Sequence, residues 1–276
     1  GRRGWERASS ELDLRPLRDR FAQLIRTTRR RCGRPLHAAH TVTVTRDNLH
    51  EVPHVMAWIL DNADAFRMVS FQPVAPVGRT VETPCNTLDM DAMWEHICDG
   101  LGRKLNRHAM YYGHPECTIL ACLAIVRSGD RSVVLEVAEE GRRWDRAYLG
   151  RLMRAFGGLT TTRSPWTKRV VAVASNCVRH PMVVLETPVY LAWRTWRARR
   201  ELLPIIRGAL TGKDLKIHPL AVVVHRFMDA EQMNTPLGRE RLSCCVFKVS
   251  MDGEPISMCE MNAGERRAEW YTKTRP

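Results

Sequence analysis

Leu14, Leu17, Phe21, Leu24 and Ile25 recur at the spacing of one helix face, which predicts a helix with Asp13 as N-cap and Pro16 in its first turn. Arg29 to Arg31 suit its last turn, and Gly33-Arg34-Pro35 ends it. The alternating β-branched run from His40 to Thr45 then reads as a strand. After the polar turn Arg46-Asp47-Asn48, the positions Leu49, Val52, Val55, Met56, Ile59 and Leu60 mark a second amphipathic helix. Met68-Val-Ser-Phe71 reads as another strand, ending at Gln72-Pro73.

From Leu88 the pattern changes. Asp89 to Asn106 reads as helix, and Cys117 to Val126 and Ser132 to Val137 read as strands joined at the hairpin signal Ser128-Gly129-Asp130. Trp144, Leu149, Leu152, Met153 and Phe156 mark a helix closed by Gly157-Gly158. Val189 to Leu210 reads as one helix kinked at Pro204, and Leu220 to Phe227 as a strand. The last element is a hairpin, Cys244 to Ser250 against Pro255 to Asn262, turning at Met251-Asp252-Gly253-Glu254.

Helix and strand alternate through the first 75 or so residues with short connections, the rhythm of βα units and parallel strands. A complete eight-unit barrel takes about 250 residues of such alternation. Two or three units are visible here, so the expectation is an α/β chain that enters a barrel partway or forms a small α/β domain. The break falls at residue 87, giving segments 1–87 and 88–276.

Composition narrows the class. Apolar residues make up 44% and charged residues 26%, which excludes a disordered chain. The most apolar region, Val170 to Trp193, is interrupted by Asn176, Arg179, His180 and Glu186, so no transmembrane segment is expected. Nor do the first residues, Gly-Arg-Arg-Gly-Trp-Glu-Arg, read as a signal peptide, and a cytoplasmic protein is the default. The net charge of +13 suits an anionic partner, whether nucleic acid, an acidic membrane surface or a phosphorylated substrate; solvated arginines account for it equally well. Nine cysteines, an odd number with no export signal, argue for metal ligation or buried thiols rather than a disulfide framework.

Three constellations carry candidate chemistry. Thr45, Asp47 and Asn48 lie past one strand end, and Gln72 and Arg79 past the next, where ligands gather in parallel sheets; Asp47 or Asn48 as a helix cap is the competing reading. In the terminal hairpin, Asp252 and Gly253 as central turn residues set Val246 opposite Cys259 with Cys244 on the same face, and a one-residue bulge puts Cys245 there instead. Cys117 and Cys122 are further soft ligands for such a centre, and inert buried thiols remain the alternative. The stretch Tyr190 to Arg200 either meets an anionic surface or is a solvated helix face with its tryptophans inward. Phosphate-binding Gly-Lys loops, nucleophile elbows and His-Glu-x-x-His are absent.

Thr41-Val-Thr-Val-Thr-Arg-Asp-Asn48 followed by a helix resembles the fifth strand of radical S-adenosylmethionine (SAM) barrels. Val69-Ser-Phe-Gln-Pro-Val74 with Gly78-Arg79 resembles the sixth strand of a subgroup that includes tetraether-lipid-synthase-like proteins. The order Gly113-His-Pro-Glu-Cys117, His225-Arg-Phe-Met-Asp229, Cys245-Val-Phe-Lys, Asp252-Gly253 and Met258-Cys-Glu-Met-Asn262 resembles the C-terminal region of the same subgroup. The resemblance runs from about Leu14 onward. It implies a partial (β/α) radical SAM barrel over 1–87, followed by an α+β cysteine-bearing region over 88–276. Thr45, Asn48, Gln72 and Arg79 would lie near bound SAM. Cys117, Cys245 and Cys259 would hold an auxiliary [4Fe–4S] cluster, with Cys122 and Cys244 as substitutes. The family's CxxxCxxC motif does not occur in this sequence. The resemblance therefore implies a fragment, an inactive chain, or one that works with a separate chain supplying the N-terminal barrel half. The intact enzyme would abstract hydrogen from an unactivated C–H bond of a lipid-, cofactor-type or phosphorylated small-molecule substrate, in the cytoplasm or at a membrane surface. The competing function is a non-catalytic basic protein, stabilised by a metal such as zinc, that binds nucleic acid or a partner.

Overall fold

A computed structural model describes residues 8–75, 88–107, 113–139, 142–157, 159, 165–263, 266–267, 270 and 272. The chain divides into two compact units, residues 1–122 with 218–276, and residues 123–217.

The first unit opens with α1 (Arg15–Cys32), whose C-cap Gly33 sits at φ 59° in the left-handed region that favours glycine. Its N-cap is Leu14 rather than Asp13. Asp13 turns backward instead, and its carboxylate accepts from the backbone N–H groups of Ser9 and Ser10 and from the Ser9 hydroxyl, all within 2.9 Å. β1 (Ala38–Val44) leads through a 3-10 turn (Arg46–Glu51) into α2 (Val52–Asp61), then β2 (Phe66–Pro73) and α3 (Met90–Leu101), which is capped by the Asp89 carboxylate. β1 and β2 pair in parallel, as the βα rhythm predicts, with Thr41 beside Ser70 and Thr43 beside Gln72.

β3 (Thr118–Ser128) and β5 (Leu215–His225) belong to both units. In the first unit the strand order is β1-β2-β5-β3, and β5 runs parallel to β2. Val42, Val44, Val69, Phe71, Val222 and Val224 are buried on one face of this sheet. The opposite face of β1 leaves Ala39, Thr41 and Thr43 exposed. The strands form an open mixed sheet with β1 at one edge, not a closed barrel. The unit ends with α8 (Ala230–Met233), α9 (Pro236–Ser243), the hairpin β6 (Lys248–Met251) and β7 (Glu254–Ser257), and α10 (Met258–Ala263). The hairpin has the register expected from its turn, Lys248 opposite Ser257 and Met251 opposite Glu254. It is shorter than the sequence suggests: Cys244 caps α9 and Cys259 lies in α10, so neither cysteine is a strand residue.

In the second unit the continuation of β3 pairs antiparallel with β4 (Arg131–Glu136) across the Gly129-Asp130 turn. Four helices follow: α4 (Arg143–Phe156), α5 (Trp166–Arg179), α6 (Pro181–Arg197) and α7 (Arg199–Leu210). The single helix expected over Val189 to Leu210 is two helices that meet at Ala198, and Pro204 is accommodated inside α7. Leu202 and Ile205 of α7 pack on Val126 to form this unit's apolar centre. A polar network lies beside it. Asp145, 1% exposed, accepts from the Tyr190 hydroxyl at 3.1 Å and from the Glu139 N–H at 2.7 Å, while Arg194 bonds Glu139 at 2.8 Å.

Candidate metal centre

Cys117 closes a tight turn in front of β3, where the His114 carbonyl accepts from the Cys117 N–H at 2.9 Å. The Cys117 carbonyl accepts from the Arg226 N–H at 2.8 Å, which fixes this turn against the carboxyl end of β5. Gly113 enters the turn at φ 76°, and a Cβ there would stand 3.3 Å from the Cys244 carbonyl oxygen, so the loop after α9 can approach closely. Cys245 leaves α9 with its N–H bonded to the Leu242 carbonyl at 3.1 Å. Cys259 is placed by the start of α10, where the Met258 N–H bonds the Phe247 carbonyl at 2.9 Å. The turn before β3 and the two ends of the terminal hairpin thus converge, and Cys117, Cys245 and Cys259 line one recess at the end of β5.

The surroundings suit sulfur ligands. Arg241, 5% exposed, donates from Nε to the Cys117 sulfur at 3.1 Å, and the Met228 N–H donates to the Cys259 sulfur at 3.4 Å. The Cys245 thiol faces the Phe247 carbonyl at 3.5 Å. Burial pushes the Cys245 and Cys259 thiols above their usual range, and each also feels the charge of Cys117. A metal reverses that effect by holding the deprotonated form. Behind the cysteines, His225 bonds the Thr118 hydroxyl at 3.0 Å and packs on Phe227 and Phe247. Burial, and then Arg241, lower its pKa to about 4.

The recess holds three thiols, soft donors of the kind that iron–sulfur clusters and zinc take, and two of the sulfurs accept a hydrogen bond. Among the described residues no three His, Cys, Asp or Glu side chains stand in metal-holding geometry. The free space is about 10 Å³, close to one water molecule, so a four-iron cube requires side-chain rotation. Cys122, on β3, and Cys244, exposed at the end of α9, lie outside the recess.

The expected SAM-side residues Thr45, Asn48 and Gln72 lie around the carboxyl ends of β1 and β2. Asn48 is buried and engaged locally: its Oδ1 accepts from the Thr45 N–H at 2.7 Å, and its Nδ2 donates to the Thr43 carbonyl at 3.0 Å and to Glu11 at 3.4 Å. This is a reciprocal cap with Thr45 at the 3-10 turn. Gln72 shares the open face of the sheet with Thr43 and donates to the Ser70 hydroxyl at 3.4 Å. Arg79 lies outside the described residues. Sequence reasoning missed Arg241 and Met228. An arginine in the charged Arg239-Glu-Arg241 segment carries no spacing signal, and a backbone donor carries none at all. Comparison of the chain with protein-family models and with curated protein sequences finds no match.

Proposed function

We propose that this chain belongs to a radical SAM iron–sulfur enzyme, and that Cys117, Cys245 and Cys259 hold an auxiliary [4Fe–4S] cluster. One observation carries the reading: Cys117 and, more than a hundred residues later, Cys245 and Cys259 line a single recess at the carboxyl end of a parallel strand. Ligands gather at such strand ends. An auxiliary cluster, when bound, supplies an electron-transfer or substrate-anchoring centre. The chain's own residues prepare the place. Arg241 offsets negative charge on the Cys117 sulfur, the Met228 N–H does the same for Cys259, and Phe247 and Met258 line the recess beside them. The enzyme acts on an unactivated C–H bond of a lipid- or cofactor-type substrate, with SAM near Thr45, Asn48 and Gln72.

Anaerobic reconstitution with iron and sulfide tests this. A broad brown absorption band is expected, lost in Cys245→Ser and Cys259→Ser and retained in Cys122→Ser. A band that survives both serine variants contradicts the assignment. A second reading, a single structural zinc ion in a non-catalytic protein, is favoured by the small free space, which suits one ion better than a cube. Stoichiometric zinc without iron in protein purified under nitrogen supports that alternative.

A further inference from the structure

α5 and α6 are built inside out. In an ordinary surface helix the apolar stripe faces the core and polar residues face water. No residue of α5 is buried; its half-buried positions include Ala172, Ser175, Asn176 and Cys177, while Val171 and Val178 are 67% and 81% exposed. α6 repeats the inversion in part. Its buried positions are Val183 and Tyr190, and Glu186, Thr187, Tyr190 and Arg194 are held by hydrogen bonds to Trp144, Tyr148, Asp145 and Glu139. Its outer positions include Met182 and Leu185, 70% and 68% exposed, together with Val184, Val189 and Leu191. Only Arg179 and Glu186 carry formal charge between Val170 and Ala192, and Glu186 is held by Arg151.

The charges collect at the ends of this region. Lys168 precedes it, and the exposed Arg197, Arg199 and Arg200 follow it. Trp166 and Trp196, both exposed, stand at the same boundaries. Apolar side chains outward, a basic collar and tryptophans at the margin are the attributes of a helix seated in a lipid headgroup layer. No described helix is long and apolar enough to cross a membrane, so the region would lie in the interface. A second copy of the chain is a poor occupant, because it would bring the same arginines face to face.

We propose that the α5–α6 face docks onto the surface of an anionic phospholipid bilayer. This inference is independent of the cluster reading, because the apolar face and its collar involve none of Cys117, Cys245 or Cys259.

Full-length protein without added metal is floated with vesicles of phosphatidylcholine, with and without phosphatidylglycerol. Binding is expected to the anionic vesicles, to weaken with salt, and to fall on the order of tenfold in Val171→Asp/Leu185→Asp. The charge variant Arg199→Glu/Arg200→Glu should lose the preference for phosphatidylglycerol. Both pairs are exposed, so unchanged circular dichroism is expected and separates lost binding from lost folding. Tryptophan emission should shift to the blue on binding. Absence of vesicle binding overturns the proposal. So does binding unaffected by the aspartates, or a dimer in light scattering that they dissolve while no vesicles are bound.

Discussion

His40 sits between Trp58 and Phe66, with ring centroids 5.9 and 6.0 Å away, and its Nε2 has no hydrogen-bond partner among the described residues. Burial, and then the Arg18 guanidinium, lower its pKa from 6.5 to about 4. Between those values the folded chain binds fewer protons than the unfolded one. The stability this neutral ring contributes is therefore complete above pH 6.5 and is lost as the pH falls toward 4. His40→Phe should flatten the pH dependence of Tm across this window, and an unchanged slope contradicts the assignment. Arg241 is the second telling residue, a buried guanidinium that donates to the Cys117 sulfur and the Arg226 carbonyl. Arg241→Met should cost about 2 kcal/mol of stability, read by urea denaturation, because it strips charged hydrogen bonds from a buried site. At this scale the sequence already displayed Cys117, Cys245 and Cys259 in order. It did not separate Cys245 from Cys244, since the length of α9 decides which neighbour turns inward, and that length is set by packing.

α2 and α3 pack in the first unit with unusually close backbones. A Cβ on Gly100 would stand 2.5 Å from the Pro53 carbonyl oxygen and 2.8 Å from the Pro53 Cα. Backbone cannot give way as a flexible side chain does, so Gly100→Ala should destabilise the chain by about 1–3 kcal/mol, measured as a lower urea midpoint. A neutral effect would contradict this packing. Helical periodicity and β-branched alternation made most elements legible: α1, β1, α2, β2, α3 and the β3–β4 hairpin stand close to where the pattern puts them. The break at Ala198 was not legible, because alanine favours helix and Pro204 is the obvious breaker. Tertiary contacts decide it: Arg194 ties α6 to Glu139, whereas Leu202 and Ile205 tie α7 to Val126. α5 was not legible because it starts after Pro165 with no capping side chain and only His180 separates it from α6.

Across the whole chain, the +13 charge has two distinct local expressions. In the first unit a buried arginine stands against a cysteine sulfur; in the second, exposed basic residues flank an apolar helix face. The α/β rhythm was readable because it is local, whereas the grouping of Cys117 with the tail beyond β5 came from the resemblance, because no short-range spacing joins them. X-ray absorption at the iron and zinc edges, on protein isolated without air, tests the central claim most directly. The account predicts iron in an all-sulfur or sulfur-dominated shell with neighbouring iron atoms, diminished by Cys117→Ser. Zinc alone, or no metal bound at the three cysteines, would contradict it.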